Sequence, residues 1–279
     1  MHRRDLLSVS LGLSALSATA AVASEDCNPM KVRPNVVLVH GAGHGGWCWR
    51  FIADQLRDRG YRVFTPTLTG LGESSHLRSP DITLDTHIDD VVNLIRAEEL
   101  QQVILVAHSY GGTVITGVCD RIKSRIRMAV FLDANTPGDG EPTIPGLTRE
   151  FIEKMTGEPL LEGYLLPVMD PVMLGIDPSD RETTDWVRRQ LTEQPLQTVT
   201  QPIQLKTGGS DGVPRSFILT TPTKFLRDWQ RAKLEAIRND PSWDYQEMLV
   251  GHDAMIIAPC ETSEMIDKII QSRQGSGTA

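Results

Sequence analysis

Short apolar runs rich in β-branched residues recur along the chain and alternate with longer segments of helical period. "NVVLVH" (35–40) precedes a glycine-rich turn and the amphipathic "WCWRFIADQLRDRG"; "YRVFTP" precedes a polar loop and "LDTHIDDVVNLIRAEEL". "QVILVAH" (102–108) leads into a small-residue helix ending near Ile122, and "MAVFL" (128–132) follows. Runs this short and apolar at nearly every position suit strands buried on both faces, and the helices between them supply the crossovers that parallel strands need. The expected class is therefore α/β, a mostly parallel sheet with helices on both faces.

The alternation lapses between Thr136 and Gly212, where "GLTREFIEKMTG" and "DPSDRETTDWVRRQL" read as helices. It resumes with "RSFILTT" (215–221), a helix from Lys224 to about Arg238, the strand "WDYQEMLV" and a last helix over Glu261–Ser272. This spacing predicts a core of residues 35–135 and 213–272, interrupted by a helical lid or cap insertion, 136–212, and followed by a disordered tail, 273–279.

The first residues, "MHRRDLLSVSLGLSALSATAAVASEDC", combine Arg3 and Arg4 with an apolar stretch and Ala21-Val22-Ala23 before charged residues. They read as a twin-arginine export signal, residues 1–23, cleaved after Ala23 and followed by an N-terminal segment, 24–34; an uncleaved anchor is the competing reading. The expected location is the bacterial periplasm or the medium, with no membrane association after cleavage. A formal net charge of −8 without any basic run argues against a nucleic-acid partner. Cys27, Cys48, Cys119 and Cys260 lack metal-ligand spacing, so no metal site is expected; a disulfide and free thiols both remain open.

In "LVAHSYGG" (105–112), Ser109 stands between the end of an apolar strand and the start of a helix, flanked two residues away by the small Ala107 and Gly111. A sharp strand-to-helix turn lifts its central side chain above the sheet, where a hydroxyl can act as a nucleophile. After the first strand, "HGAGHGGWCW" carries glycines at 41, 43, 45 and 46, which leave backbone amides free to approach a ligand. The N–H groups of Ala42 and Tyr110 form the natural oxyanion pair. A phosphate-binding loop is the weaker alternative: Gly41, Gly43 and Gly46 do keep GxGxxG spacing, but no acid follows at the expected ribose position and Walker spacing is absent. "LVGHDAM" sets His252 between the last strand and the last helix as the general base.

With these motifs, residues 35 to 272 resemble the α/β-hydrolase superfamily, and in particular its esterase and hydroxynitrile-lyase branch, which includes plant methyl-salicylate and methyl-jasmonate esterases; "PTLTGLGESSHL" and "LDTHIDDVVN" resemble bacterial members. The resemblance implies a serine carboxylesterase that needs no cofactor, with a small-molecule ester as its partner. In the plant relatives the triad acid follows the strand that here reads "RSFILTT", yet residues 212–227 contain neither Asp nor Glu. Other branches place the acid at the end of the strand beside the nucleophile strand. That position is Asp133, with Asp139 and Glu141 as alternatives on the same loop. Pocket residues are expected at Gly41, His44, Leu165, Met169 and Met173, making room for a small or medium, largely apolar ester. His40 and His108 read as structural, and Tyr110 is a further possible pocket side chain. Lactones, thioesters, a cyanohydrin substrate and a non-catalytic binding module are the competing functions.

Overall fold

The computed structural model describes residues 34–157, 159–221 and 228–273. The expected export signal (1–23), almost all of segment 24–34, nearly all of the tail and the start of the helix expected at Lys224 lie outside the described residues. In chain order the core begins β1 (Asn35–Val39), α1 (Arg50–Asp58), β2 (Arg62–Phe64), α2 (Leu84–Ala97), β3 (Val103–His108), α3 (Gly111–Ile122) and β4 (Ile126–Leu132). The segment expected to be an insertion, 136–212, carries α4 (Arg149–Thr156), β5 (Leu165–Leu166), α5 (Arg181–Gln190), β6 (Gln194–Pro195) and α6 (Gln197–Thr200). Then follow β7 (Arg215–Thr220), α7 (Asp228–Asn239), β8 (Trp243–Met248), α8 (Ala254–Ile257) and α9 (Pro259–Ser272).

Six strands form one sheet in the order β2-β1-β3-β4-β7-β8, and every neighbouring pair is parallel. Residues alternate between two cores. Val37, Val39 and Leu105 pack toward α2 and α3 with Ile88, Val91 and Val114, whereas Val36, Leu38 and Val106 pack toward α1 and α9 with Ile52, Leu56 and Ile266. Each fully buried side chain of this kind contributes about 1.5–3 kcal/mol. At the insertion's helix starts, Thr148 and Asp180 accept the Phe151 and Thr183 N–H groups, satisfying donors that a helix end leaves unpaired.

Two boundaries differ from expectation for local reasons. The last helix starts at Pro259, behind the separate turn α8; Ala258, which precedes the proline, sits at φ −136° and ψ 62°, because the proline ring disfavours helical geometry in the residue before it. β8 stops at Met248, the partner of Thr220 at the end of β7, and the next residue, Leu249, is exposed.

Because the chain runs from β1 out to the edge strand β2 and then back across to β3, the strand order reverses between β1 and β3. A crevice forms there at the carboxyl ends of the strands, the usual ligand position in open parallel sheets. Among the described residues no helix is long and apolar enough to cross a membrane, no cluster could hold a metal ion, and Cys48, Cys119 and Cys260 are free thiols. Cys27 lies outside the described residues.

Candidate active site

β3 ends at His108, and Ser109 turns the chain into α3 with φ +52°. Left-handed geometry costs a residue with a β-carbon about 1–2 kcal/mol, so the surroundings must hold it. They do so through three backbone hydrogen bonds. The Ser109 N–H donates to the Leu132 carbonyl (3.2 Å), and the Ser109 carbonyl accepts from Gly112 (3.0 Å) and Asn135 (2.9 Å). The turn also needs absent side chains: a Cβ on Gly111 would stand 2.7 Å from the carbonyl oxygens of both Val39 and His40. Gly111→Ala is therefore expected to destabilise the fold by about 1–3 kcal/mol, lowering Tm by several degrees in a thermal melt; an unchanged Tm would contradict this packing.

Asp133 extends β4 at φ +44°, its N–H donating to the Ile218 carbonyl at 2.7 Å. Its Oδ2 accepts from His252 Nδ1 at 2.6 Å and from the Thr220 hydroxyl at 2.6 Å. The carboxylate thus meets the imidazole from a strand end, with Thr220 contributed by the neighbouring β7. The two alternative acids are engaged elsewhere. Asp139 accepts from the Leu205 N–H, and Glu141 accepts from the Gly138 N–H and Lys233. Burial by itself would depress the His252 pKa, but the Asp133 hydrogen bond and charge, with Asp253 adding to them, outweigh it and hold the pKa above the usual imidazole value. Ser109 and His252 line one cavity. No hydrogen bond joins their side chains among the described residues; catalytic contacts of this kind often tighten only when substrate is bound.

Ala42 and Tyr110 border the same cavity, and the backbone N–H of neither donates to an acceptor among the described residues. Tyr110 is 1% exposed. Its side chain is buried, the hydroxyl donating to His87 Nδ1 (2.8 Å) while His87 Nε2 donates to the Thr69 carbonyl (2.9 Å). Burial pushes His87 down to about 4, so the ring stays neutral. His40 is likewise structural in geometry. Nδ1 donates to the Gly41 carbonyl, Nε2 accepts from the Leu68 N–H, and burial pushes its pKa down to about 3.

The cavity measures about 730 Å³ and is lined by apolar insertion side chains that include Leu166, Met169, Val172 and Met173. Of the five residues expected in the pocket, Met169 and Met173 therefore border it, whereas Gly41, His44 and Leu165 do not. Gly41 backs onto His108 and Ser109, so that a Cβ added there would stand 2.8 Å from His108 Nδ1; His44 is buried against Asp253; Leu165 is fully buried and its neighbour Leu166 borders the cavity instead. Three connections have no local sequence signal: Thr220 with Asp133, His44 with Asp253, and the insertion with the loop after β1. In the last, Gly43, at φ +71°, donates its N–H to Gln194 Oε1 (3.0 Å) and accepts from the Thr192 N–H (2.8 Å).

A left-handed strand-to-helix serine that shares one cavity with an imidazole–carboxylate pair, on the carboxyl rim of a parallel sheet, is the arrangement of the α/β-hydrolases. The chain belongs to the alpha/beta hydrolase family, whose sequence profile matches residues 36–269. It is 39% identical over 242 residues to the carbendazim hydrolyzing esterase of Nocardioides sp. (strain SG-4G), covering 83% of this chain and 98% of that one. Methylesterase 9 of Arabidopsis thaliana is 28% identical over 253 residues, covering 84% and 96%. Methyl jasmonate esterase 1 of Vitis vinifera is 37% identical over a shorter stretch of 106 residues, 37% of this chain and 40% of its own length. Among solved structures, an extracellular α/β-hydrolase from a Paenibacillus species superposes with a TM-score of 0.69 at 23% identity, covering 85% of this chain and 98% of that one, a likeness of fold.

Proposed function

We propose that the protein is an exported, serine-dependent hydrolase of small or medium, largely apolar carboxylic esters, working through an acyl-enzyme. The observation that carries this reading is the 2.6 Å contact between His252 Nδ1 and Asp133 Oδ2 on the rim where Ser109 is presented. Ser109 Oγ attacks the ester carbonyl carbon as its proton passes to His252 Nε2; Asp133 holds the Nδ1 hydrogen and stabilises the imidazolium. The Ala42 and Tyr110 amides donate to the developing oxyanion. The tetrahedral intermediate collapses by breaking the bond to the alkoxy group, which takes the proton from Nε2 and leaves as alcohol. Water then attacks the acyl carbon, again giving a proton to His252, and Ser109 recovers that proton as the carboxylic acid departs. None of these steps calls for a metal or cofactor. The insertion 136–212 acts as the cap over the acyl site, and the apolar side chains it lends the cavity favour an apolar acyl group. Residues 1–23 fit this reading as the export signal.

Hydroxynitrile lysis is disfavoured by Gly41 and Asp253, where the lyases that this chain resembles bear Thr and Lys. Assays of a p-nitrophenyl ester series, carbendazim and mandelonitrile test the choice. Ester turnover without cyanide release is expected; cyanide release without ester turnover would contradict it. The same assay carries a pH prediction. His252 must be neutral to accept the Ser109 proton, and its pKa is raised, so kcat/KM rises with pH through a midpoint above about 6.5. A midpoint below that value would mean that burial, not Asp133, governs the ring.

A further inference from the structure

His44 and Asp253 stand behind the site and take no part in the steps above. Both are buried, His44 to 1% exposure and Asp253 to 0%. His44 Nδ1 lies 2.8 Å from the Ala42 carbonyl oxygen, and Nε2 lies 3.1 Å from Asp253 Oδ2. A carbonyl oxygen can only accept, so Nδ1 carries a hydrogen. The contact between Nε2 and Oδ2 needs a second, on one atom or the other. The pair therefore holds two protons and is neutral overall, either imidazolium with carboxylate or imidazole with carboxylic acid, which makes its burial tolerable.

What the pair connects gives it a role. Ala42 lies between two glycines, so its amide direction is weakly determined by its own backbone. The plane that carries the Ala42 N–H is held through the Gly41 carbonyl, which accepts from His40 Nδ1 at 2.8 Å. The next plane is held at both ends, through the Ala42 carbonyl by His44 and through the Gly43 N–H by Gln194 Oε1. Asp253, at the far end, directly follows His252, and its own N–H donates to the Leu174 carbonyl at 2.9 Å. His108, which precedes Ser109, donates Nε2–H to the His252 carbonyl at 3.0 Å and stands 3.8 Å from Asp253 Oδ1. Immediate neighbours of the nucleophile and of the base thus meet one buried cluster that also holds the oxyanion loop.

We propose that His44 and Asp253 are positioning residues that hold the oxyanion loop at the Ala42 carbonyl, and through it the adjoining Ala42 N–H, in place relative to His252, so that their loss weakens the transition state and leaves ground-state binding largely intact. This rests on the serine-hydrolase reading above. Two substitutions separate the ends of the link. His44→Asn keeps a donor near the Nδ1 position and loses Asp253, while His44→Gln keeps one near the Nε2 position and loses Ala42. Each is expected to lower kcat on a p-nitrophenyl ester by about 10- to 100-fold with KM changed less than about threefold, and to weaken inhibition by an arylboronic acid in parallel with kcat/KM. Asp253→Asn can donate its amide N–H to Nε2 of a neutral His44 and should stay within about fivefold of wild type, well above Asp253→Leu.

His44 variants with wild-type kcat, a loss confined to KM, or Asp253→Asn no better than Asp253→Leu would overturn the proposal. If the harsher variants do not fold, the ¹⁵N spectrum of wild-type His44 decides: a protonated Nδ1 supports the link, and a bare Nδ1 overturns it. Wild-type protein without ester turnover would remove the hydrolase reading itself; active wild type beside unimpaired His44 variants would remove the positioning pair alone.

Discussion

Ser109→Ala is expected to lower ester turnover by about 10⁴- to 10⁶-fold, with the fold and Tm essentially unchanged. The side chain is the sole proposed source of the attacking oxygen, since the neighbouring Tyr110 hydroxyl is buried and turned onto His87. The backbone bonds that hold the turn, from Ser109 N–H to Leu132 and from Gly112 and Asn135 to the Ser109 carbonyl, do not involve the hydroxyl. Alanine tolerates φ +52° about as poorly as serine, so the strain stays constant. A melt together with kcat/KM on a p-nitrophenyl ester separates lost chemistry from lost structure. Activity retained to within about tenfold would move the nucleophile to another residue.

Asp133→Asn is expected to cost about 10⁴ in kcat, through the tautomer of His252 rather than through packing. Oδ2 accepts two hydrogens at once, from His252 Nδ1 and from Thr220. An amide turned so that its NH2 faces these donors opposes both, and favours the imidazole tautomer whose Nε2 already carries a hydrogen and cannot take one from Ser109. The residual activity should also titrate differently. The hydrogen bond and charge that raise the His252 pKa disappear, burial is left as the larger influence, and the acidic limb of kcat/KM moves to lower pH. A fall of only a fewfold, with an unmoved limb, would mean that another group orients the ring. Asp139 and Glu141 are poor substitutes, being held by Leu205 and by Gly138 with Lys233.

The parallel sheet is legible in the sequence because β1, β3 and β4 are apolar on both faces, a pattern that few other architectures use. The Ser109 turn is legible because its requirements are local: Ala107 and Gly111 fall within two residues of it. Asp133 is harder to read, since it becomes visible only when the acid expected after β7 is missing and the end of β4 offers the remaining route to His252. Pairings across long sequence distances leave no local mark, and His44 with Asp253, 209 residues apart, is of this kind. The pocket is legible at Met169 and Met173 but not at Gly41, His44 and Leu165, for a different reason. In a two-residue strand such as β5, one position decides which face a side chain takes, so Leu165 is buried while Leu166 reaches the cavity. Tyr110 illustrates the same limit, its ring being buried and its hydroxyl drawn inward onto His87.

Reaction of the protein with an organophosphonate ester, followed by a crystal structure of the product, tests the central assignment most directly. The expected adduct has phosphorus bonded to Ser109 Oγ, its oxygen within about 3 Å of both the Ala42 and Tyr110 amides, and His252 Nδ1 still on Asp133. Phosphorus on a different side chain, or an oxygen turned away from those two amides, would contradict it.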